Sequence, residues 1–247
     1  MTMNNNIALK LNQVDFKFSE ENPFFFYNVS VSFPAQKIHF IRGQNGAGKS
    51  TLFKILQGRL EQKEIIAGSI ELHGARHNFS EARVASFVGQ IKLVQQKFDL
   101  MLADRFSFIE NLRCANIGVH PNFTRLPDHQ PLPAFIARFC INHDVPVKML
   151  SGGQRQMLAI LMALQKPTKV LLLDEPTAAL DEQNAKMVMQ FLDELVKATG
   201  ITVLIICHDR EIVETYASEG YYEIVVDEKT KLRSLVLRHS RDSLLPN

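Results

Sequence analysis

Hydrophobic positions along the chain fall into three regimes. Apolar and polar residues alternate first: Ile7, Leu9 and Leu11 share one face, and Val14, Phe16 and Phe18 share another. Val29, Val31 and Phe33 repeat the pattern, and Ile70 and Leu72 continue it up to Gly74. A period of two predicts half-buried strands of antiparallel type. In the second regime Lys37–Arg42 predicts a short strand ending at Gly43, and Lys49–Gln57 a helix stopped by Gly58. Residues from about 99 to 150 read as helix and loop, with Phe108–Leu112 and Ala134–Ile141 separated by a connection rich in proline (Pro121, Pro127, Pro131, Pro133). In the third regime helices Gly152–Gln165, Glu182–Thr199 and Arg210–Ser218 alternate with the apolar strands Lys169–Leu173 and Ile201–Cys207. Continuous apolar strands between helices imply a parallel sheet covered on both faces. Tyr222–Leu237 returns to alternation. The expected fold is α/β: a parallel-sheet core with an N-terminal antiparallel β subdomain and an inserted α-helical subdomain. Residues 1–247 would form one domain, with the core and β subdomain drawn from 1–98 and 151–247 and the helical subdomain from about 99–150.

Composition narrows the classes. A chain of 247 residues that is 46% hydrophobic and 22% charged can bury a core without disulfides or metals. Its net charge of +2 gives no reason to expect a nucleic-acid partner. Cys114, Cys140 and Cys207 have no metal-ligand spacing and are expected as free thiols in a reducing compartment. Met1–Asn6 is polar and no signal peptide is expected. The longest apolar runs, Val170–Leu173 and Ile201–Cys207, are far shorter than the roughly 20 residues a spanning helix needs. Any membrane role must therefore pass through a partner chain.

Gly43-Gln44-Asn45-Gly46-Ala47-Gly48-Lys49-Ser50-Thr51 matches the phosphate-binding loop pattern, a glycine, four residues, then Gly-Lys-Ser/Thr. It follows a predicted strand and opens a predicted helix, the context this chemistry requires. Glycines let the backbone curl so that successive N–H groups converge on phosphate oxygens, and the helix N-terminus adds partial positive charge. Lys49 can reach the β- and γ-phosphates, and the Ser50 hydroxyl can bind Mg²⁺. Further on, Val170–Leu173 runs into Asp174 and Glu175. Ligands in open α/β sheets sit at the carboxyl ends of strands. Asp174 would therefore lie near the metal, and Glu175 would face the water that attacks the γ-phosphate.

Leu150-Ser151-Gly152-Gly153-Gln154 is a second glycine-rich turn opening a helix, and Ser151 is a good N-cap. With it the chain resembles the ABC ATPase family, whose signature this string is. The resemblance covers nearly the whole length, and it implies the P-loop RecA-like core of that family. Gly43–Ser50 is similar to the family's Walker A and Leu171–Pro176 to its Walker B with the catalytic glutamate, Glu175. Ala178–Asp181 looks like the D-loop, with Ala178 where serine is commoner. His208 matches the switch histidine that contacts the γ-phosphate.

The resemblance also implies a glutamine that joins core and insert and contacts Mg²⁺ and water; Gln96 fits best, with Gln95 and Gln90 as alternatives. It implies an aromatic on adenine, for which Phe18 stands in place, although a period-two strand would equally point this ring at the core. ATP and Mg²⁺ are the implied ligands. Two ATPase subunits would pair head to tail, so that Ser151, Gly152, Gly153 and Gln154 of one face the other's ATP. The helical insert would dock on a membrane-spanning permease subunit at the cytoplasmic face, in a transporter closer to importers of small solutes. No Asn/Thr-Lys-x-Asp guanine motif is present, and an insert of this length with its prolines cannot form the long coiled coil of chromosome ATPases. A regulatory, non-hydrolysing ATP binder is the remaining alternative; Glu175 and His208 speak against it.

Overall fold

The computed structural model describes residues 6–79, 89–117 and 128–239; Pro121 and Pro127 lie outside them. In chain order the elements are β1 (Ile7–Lys17), β2 (Phe26–Pro34), β3 (Ile38–Arg42), α1 (Lys49–Leu56), β4 (Ile65–Leu72), β5 (Ala75–Asn78), β6 (Ile91–Val94), α2 (Phe108–Ala115), α3 (Gly152–Ala163), β7 (Val170–Asp174), α4 (Glu182–Thr199), β8 (Thr202–Ile206), α5 (Arg210–Tyr216), β9 (Tyr221–Val226) and β10 (Arg233–Arg238).

The described strands join in one sheet of order β5-β4-β1-β2-β10-β9-β3-β8-β7-β6. From β9 to β6 the neighbours are parallel. The β1, β2, β4 and β5 pairings are antiparallel, as is the β9–β10 hairpin. A parallel bridge between Arg233 and Phe26 connects the two regions.

The core strands feed two cores. On β7, Leu171 and Leu173 pack with Met157, Ile160 and Leu192 of the helical side, whereas Val170 and Leu172 pack with Leu52, Ile55 and the antiparallel strands. On β8, Val203 and Ile205 face the first set and Leu204 and Ile206 the second. Burial on both faces explains why these strands read as unbroken apolar runs. Helix α1 ends in a Schellman motif: Arg59 N–H donates to Lys54 O (3.2 Å) and Gly58 N–H to Ile55 O (2.9 Å), with Gly58 at φ +63°.

Two expectations change. Strict alternation sets Leu9 and Leu11 on the face opposite Val14 and Phe16, yet all four pack in the same core. The pairing of β1 with β2 shifts between Leu11 and Val14, and Gln13 there takes φ +48°. This β-bulge inserts a residue and restores the inward face. Gly68 lies across from it, where an added Cβ would come 2.4 Å from Gln13 O. In the insert, the Ala134–Ile141 stretch is a 3₁₀ helix over Ala134–Phe139, ended by Cys140 at φ +48°. It buries Phe135 and Ile136, and the Phe135 ring lies 5.8 Å from that of Phe191 on α4. Among the described residues no helix is long and apolar enough to cross a membrane.

Candidate nucleotide site

Strand β3 delivers the chain to the loop of Gly43, Asn45, Gly46 and Ala47, which turns into α1. Gly46 (φ +78°) and Gly48 (φ +108°) hold left-handed conformations that a side chain would strain. Gly48 is the N-cap of α1 and supplies no side-chain cap, so the first-turn amides, those of Lys49, Ser50 and Thr51 included, have no intrahelical acceptor. Lys49 is buried and its Nζ donates to the carbonyls of Gly43 (2.9 Å) and Gln44 (3.1 Å). Burial pushes its pKa down, opposed by the charges of Glu175 and Asp174.

The carboxylates stand at the carboxyl ends of β7 and β8, where Asp174 pairs with Ile206. Glu175 follows at φ +52°, a strained conformation for a residue with a Cβ, with its N–H donating to Ile206 O (3.0 Å). Its carboxylate is held from both sides. His208 Nε2 lies 3.1 Å from Oε1, and Gln96 Nε2 donates to Oε2 at 3.2 Å. Of the three glutamines open from sequence, Gln96 therefore makes this contact. Gln95 lines the adjoining cavity, and the backbone carbonyl of Gln90, before β6 begins, accepts from Lys169 and Val170.

That cavity, of about 480 Å³, is lined by Ser50, Gln95, Gln96 and Asp174 among others. Burial pushes the Asp174 pKa up and the Glu175 charge adds to this, with Lys49 and His208 acting against it. Hydroxyl, amide and carboxylate oxygens on one wall suit Mg²⁺, which takes one or two protein carboxylates and completes its shell with phosphates and water. Among the described residues no cluster of three or more His, Cys, Asp or Glu is placed to hold a metal ion.

Phe18, just past β1, is 37% exposed and meets Phe16 and Phe25 edge-on at 5.1 and 4.8 Å. The ring nearest the loop is that of Phe25: an added Cβ on Gly48 would lie 2.6 Å from its Cε1. The Arg233 guanidinium stacks on Phe25 at 3.6 Å, and its Nε donates to Ala47 O (3.1 Å). The sequence does not point to Phe25 as a site residue, although the run Phe24-Phe25-Phe26 is an available signal, and Arg233 reads there only as one of a basic, solvated tail.

The signature opens α3. Ser151 Oγ accepts from Gln154 N–H (3.2 Å) and Ser151 N–H donates to Gln154 Oε1 (3.1 Å), a complete capping box. Gly152 and Gly153 have a packing reason as well. A Cβ on the first would meet Leu180 Cδ2 at 2.9 Å, and one on the second Asn184 Oδ1 at 2.8 Å. Asp181 caps α4 through Asn184 N–H (2.8 Å), and these hydrogen bonds hold its carboxyl below the usual range. Asn184, unmarked by sequence, thus lies between Asp181 and the signature.

Comparisons with known proteins bear on the family and the fold. The family model described as "ABC transporter" matches residues 26–178. Arabinose import ATP-binding protein AraG 2 of Burkholderia thailandensis is 34% identical over 192 residues, 75% of this chain and 35% of that protein. The chain thus spans about a third of the length of the arabinose-import relatives. Phosphonates import ATP-binding protein PhnC 1 of Ruegeria sp. is 29% identical over 214 residues, 81% of each chain. The structure of cbiO1 from Clostridium perfringens superposes with a TM-score of 0.72 at 24% identity, covering 97% of this chain and 90% of that one. A nucleotide-free ATP-binding cassette from an ABC transporter gives 0.69 at 22% identity, covering 96% and 94%. With a phosphate loop, a carboxylate pair and a signature turn set on this fold, the chain belongs to the ABC transporter family.

Proposed function

We propose that this chain is the ATP-hydrolysing subunit of a membrane transporter, with Glu175 as the general base. The observation that carries the reading is the Glu175 carboxylate held between His208 and Gln96 at the strand ends beside the phosphate loop. In this reading Lys49 leaves the carbonyls of Gly43 and Gln44 for the β- and γ-phosphates, and the free amides of α1 complete the cradle. Glu175 accepts a proton from the water attacking the γ-phosphorus, and its two neighbours fix the orientation of its oxygens. Gln96, Ser50 and Asp174 would hold Mg²⁺, which when bound neutralises charge on the phosphate oxygens. Phe18 and Phe25 offer ring surface for the adenine. His208 completes the γ-phosphate side, and Asp181 lies beside the signature turn that would face the partner's ATP.

The signature of one copy would close the site of a second, head to tail, so that ATP bridges the dimer. The insert of about residues 99–150 is the docking subdomain for a permease. Leu100 is 84%, Phe106 43% and Met149 71% exposed, and their segments are tied together by Val147 N–H to Phe106 O (2.9 Å) and Lys148 N–H to Asp104 O (3.2 Å). The chain would then lie at the cytoplasmic face of the membrane. The similarity to import proteins for arabinose and phosphonates favours import of a small solute.

The test is phosphate release by the purified chain with Mg²⁺ and ATP. Glu175→Gln is expected to lower turnover about 10²–10⁴-fold while ATP binding persists and the subunits stay paired. Unchanged steady-state turnover in that variant would overturn the assignment.

A further inference from the structure

The signature turn has its phosphate-binding donors already occupied within one subunit. Asn184, on the first turn of α4, presents its side-chain oxygen to two of them: Ser151 Oγ lies 3.0 Å from Asn184 Oδ1, and Gly153 N–H donates to the same oxygen at 3.3 Å. The direction of the first bond follows from the rest of the network. Ser151 Oγ already accepts from Gln154 N–H, and a carboxamide oxygen has no hydrogen to give, so the single hydroxyl hydrogen of Ser151 goes to Asn184. The amide cannot be turned the other way, because Asn184 Nδ2 donates to Asp181 Oδ2 at 2.6 Å. Asp181 is thereby held by the same residue through both its oxygens, Oδ1 by the Asn184 backbone N–H and Oδ2 by its side-chain amide.

We infer that Asn184 is a positioning residue that holds the signature turn in an occupied state in the separate subunit, its carbonyl oxygen standing in for a phosphate oxygen of a second copy's nucleotide. The inference rests on the head-to-tail reading above. A hydroxyl has one hydrogen and an amide one, so an arriving phosphate oxygen and Asn184 Oδ1 compete for the same two donors. Closing the dimer then requires Asn184 to give them up, and the release reaches Asp181 through the opposite end of the same amide. Engagement of the signature and freedom of the D-loop become one event.

The experiment measures two quantities in the Glu175→Gln background. One is the ATP concentration at half-maximal dimer formation, by sedimentation. The other is ATP affinity at protein concentrations where the chain stays monomeric, by titration with a fluorescent ATP analogue. Asn184→Ala removes the competing acceptor and is expected to lower the dimerisation midpoint about three- to tenfold, the worth of one net hydrogen bond, with monomer affinity unchanged. Asn184→Asp keeps acceptors facing Ser151 and adds a negative charge opposite the phosphate, so the midpoint should rise. Asn184→Ser, too short to reach Ser151, carries the same expectation as alanine should the alanine variant fold poorly by circular dichroism. A midpoint unchanged or raised in both Asn184→Ala and Asn184→Ser overturns the inference. A Glu175→Gln parent that remains monomeric at saturating ATP overturns the head-to-tail reading itself, and the inference with it. A parent that dimerises while the Asn184 variants track it removes the inference alone.

Discussion

The two glycine-rich helix N-termini of this chain are chemically alike and structurally opposite. At α1 the N-cap is Gly48, with no side chain to offer, and the first-turn amides are left to whatever fills the loop. At α3 the N-cap is Ser151, its capping box is closed, and Asn184 takes a further amide and the serine hydroxyl. Both termini carry the partial positive charge of a helix end, but only the first is built open. On the proposed function the difference implies an order of events: nucleotide binds first to the loop before α1, where only Lys49 has to leave its loop carbonyls, and the signature engages second, because its serine hydroxyl and amide must both leave Asn184.

The largest break in this comparison comes from the open half. Lys49 bonds to carbonyls of its own loop, an arrangement that a triphosphate can replace with charged partners. Lys49→Ala is expected to weaken ATP binding at least about a hundredfold, since charge-assisted bonds to phosphate are among the strongest a side chain makes. Titration calorimetry checks this, and ordinary affinity in the variant would remove the phosphate loop from the account.

A smaller effect comes from the closed half. Gly153→Ala gains helix propensity, by about 1 kcal/mol, but its Cβ would fall 2.7 Å from Met187 Cε and 2.8 Å from Asn184 Oδ1. Met187 is a flexible side-chain end and can move; Asn184 is fixed by Asp181. Melting of the free chain should therefore shift by no more than a few degrees, whereas ATP-driven pairing should weaken about tenfold because the methyl group crowds the amide it adjoins. Pairing that is unaffected would show that this amide does not meet the partner's nucleotide.

What the sequence discloses follows the same divide. The phosphate loop and the signature are contiguous strings, and Asp174 and Glu175 close an apolar run, so local chemistry is written in order. The parallel strands were legible because burial on both faces leaves an uninterrupted apolar run. The face of β1 was not, because Gln13 adopts a left-handed conformation that alternation alone does not announce, and the register passes through it. That the Gln96 side chain reaches Glu175 is visible only once β6 is in place. Asn184 and Arg233 stayed hidden for a different reason. Each acts on a turn far away in the chain, the first on Ser151 and Gly153, the second on Ala47, and no spacing rule connects such positions.

The smallest effect concerns stability. Burial raises the Asp174 pKa in the folded chain above its ordinary 3.8, so the folded state binds protons more tightly than the unfolded state. Stability must then fall as pH rises from 3.8 through the folded-state pKa, and the cost persists at neutral pH. Asp174→Asn removes the charge and keeps the shape, so the nucleotide-free chain should gain stability at pH 7, by an amount that solvent screening of a partly exposed group keeps small. The gain should shrink as pH falls towards 3.8, where the wild-type carboxyl is itself protonated. Denaturant titrations at both pH values read the difference, with phosphate release expected to be lost in the same variant. Opposite signs on stability and turnover would place Asp174 in the open half as a charge held for a cation that enters with the nucleotide. A variant no more stable than wild type at pH 7 would mean that the Lys49 charge already offsets that of Asp174, leaving the cation less to do.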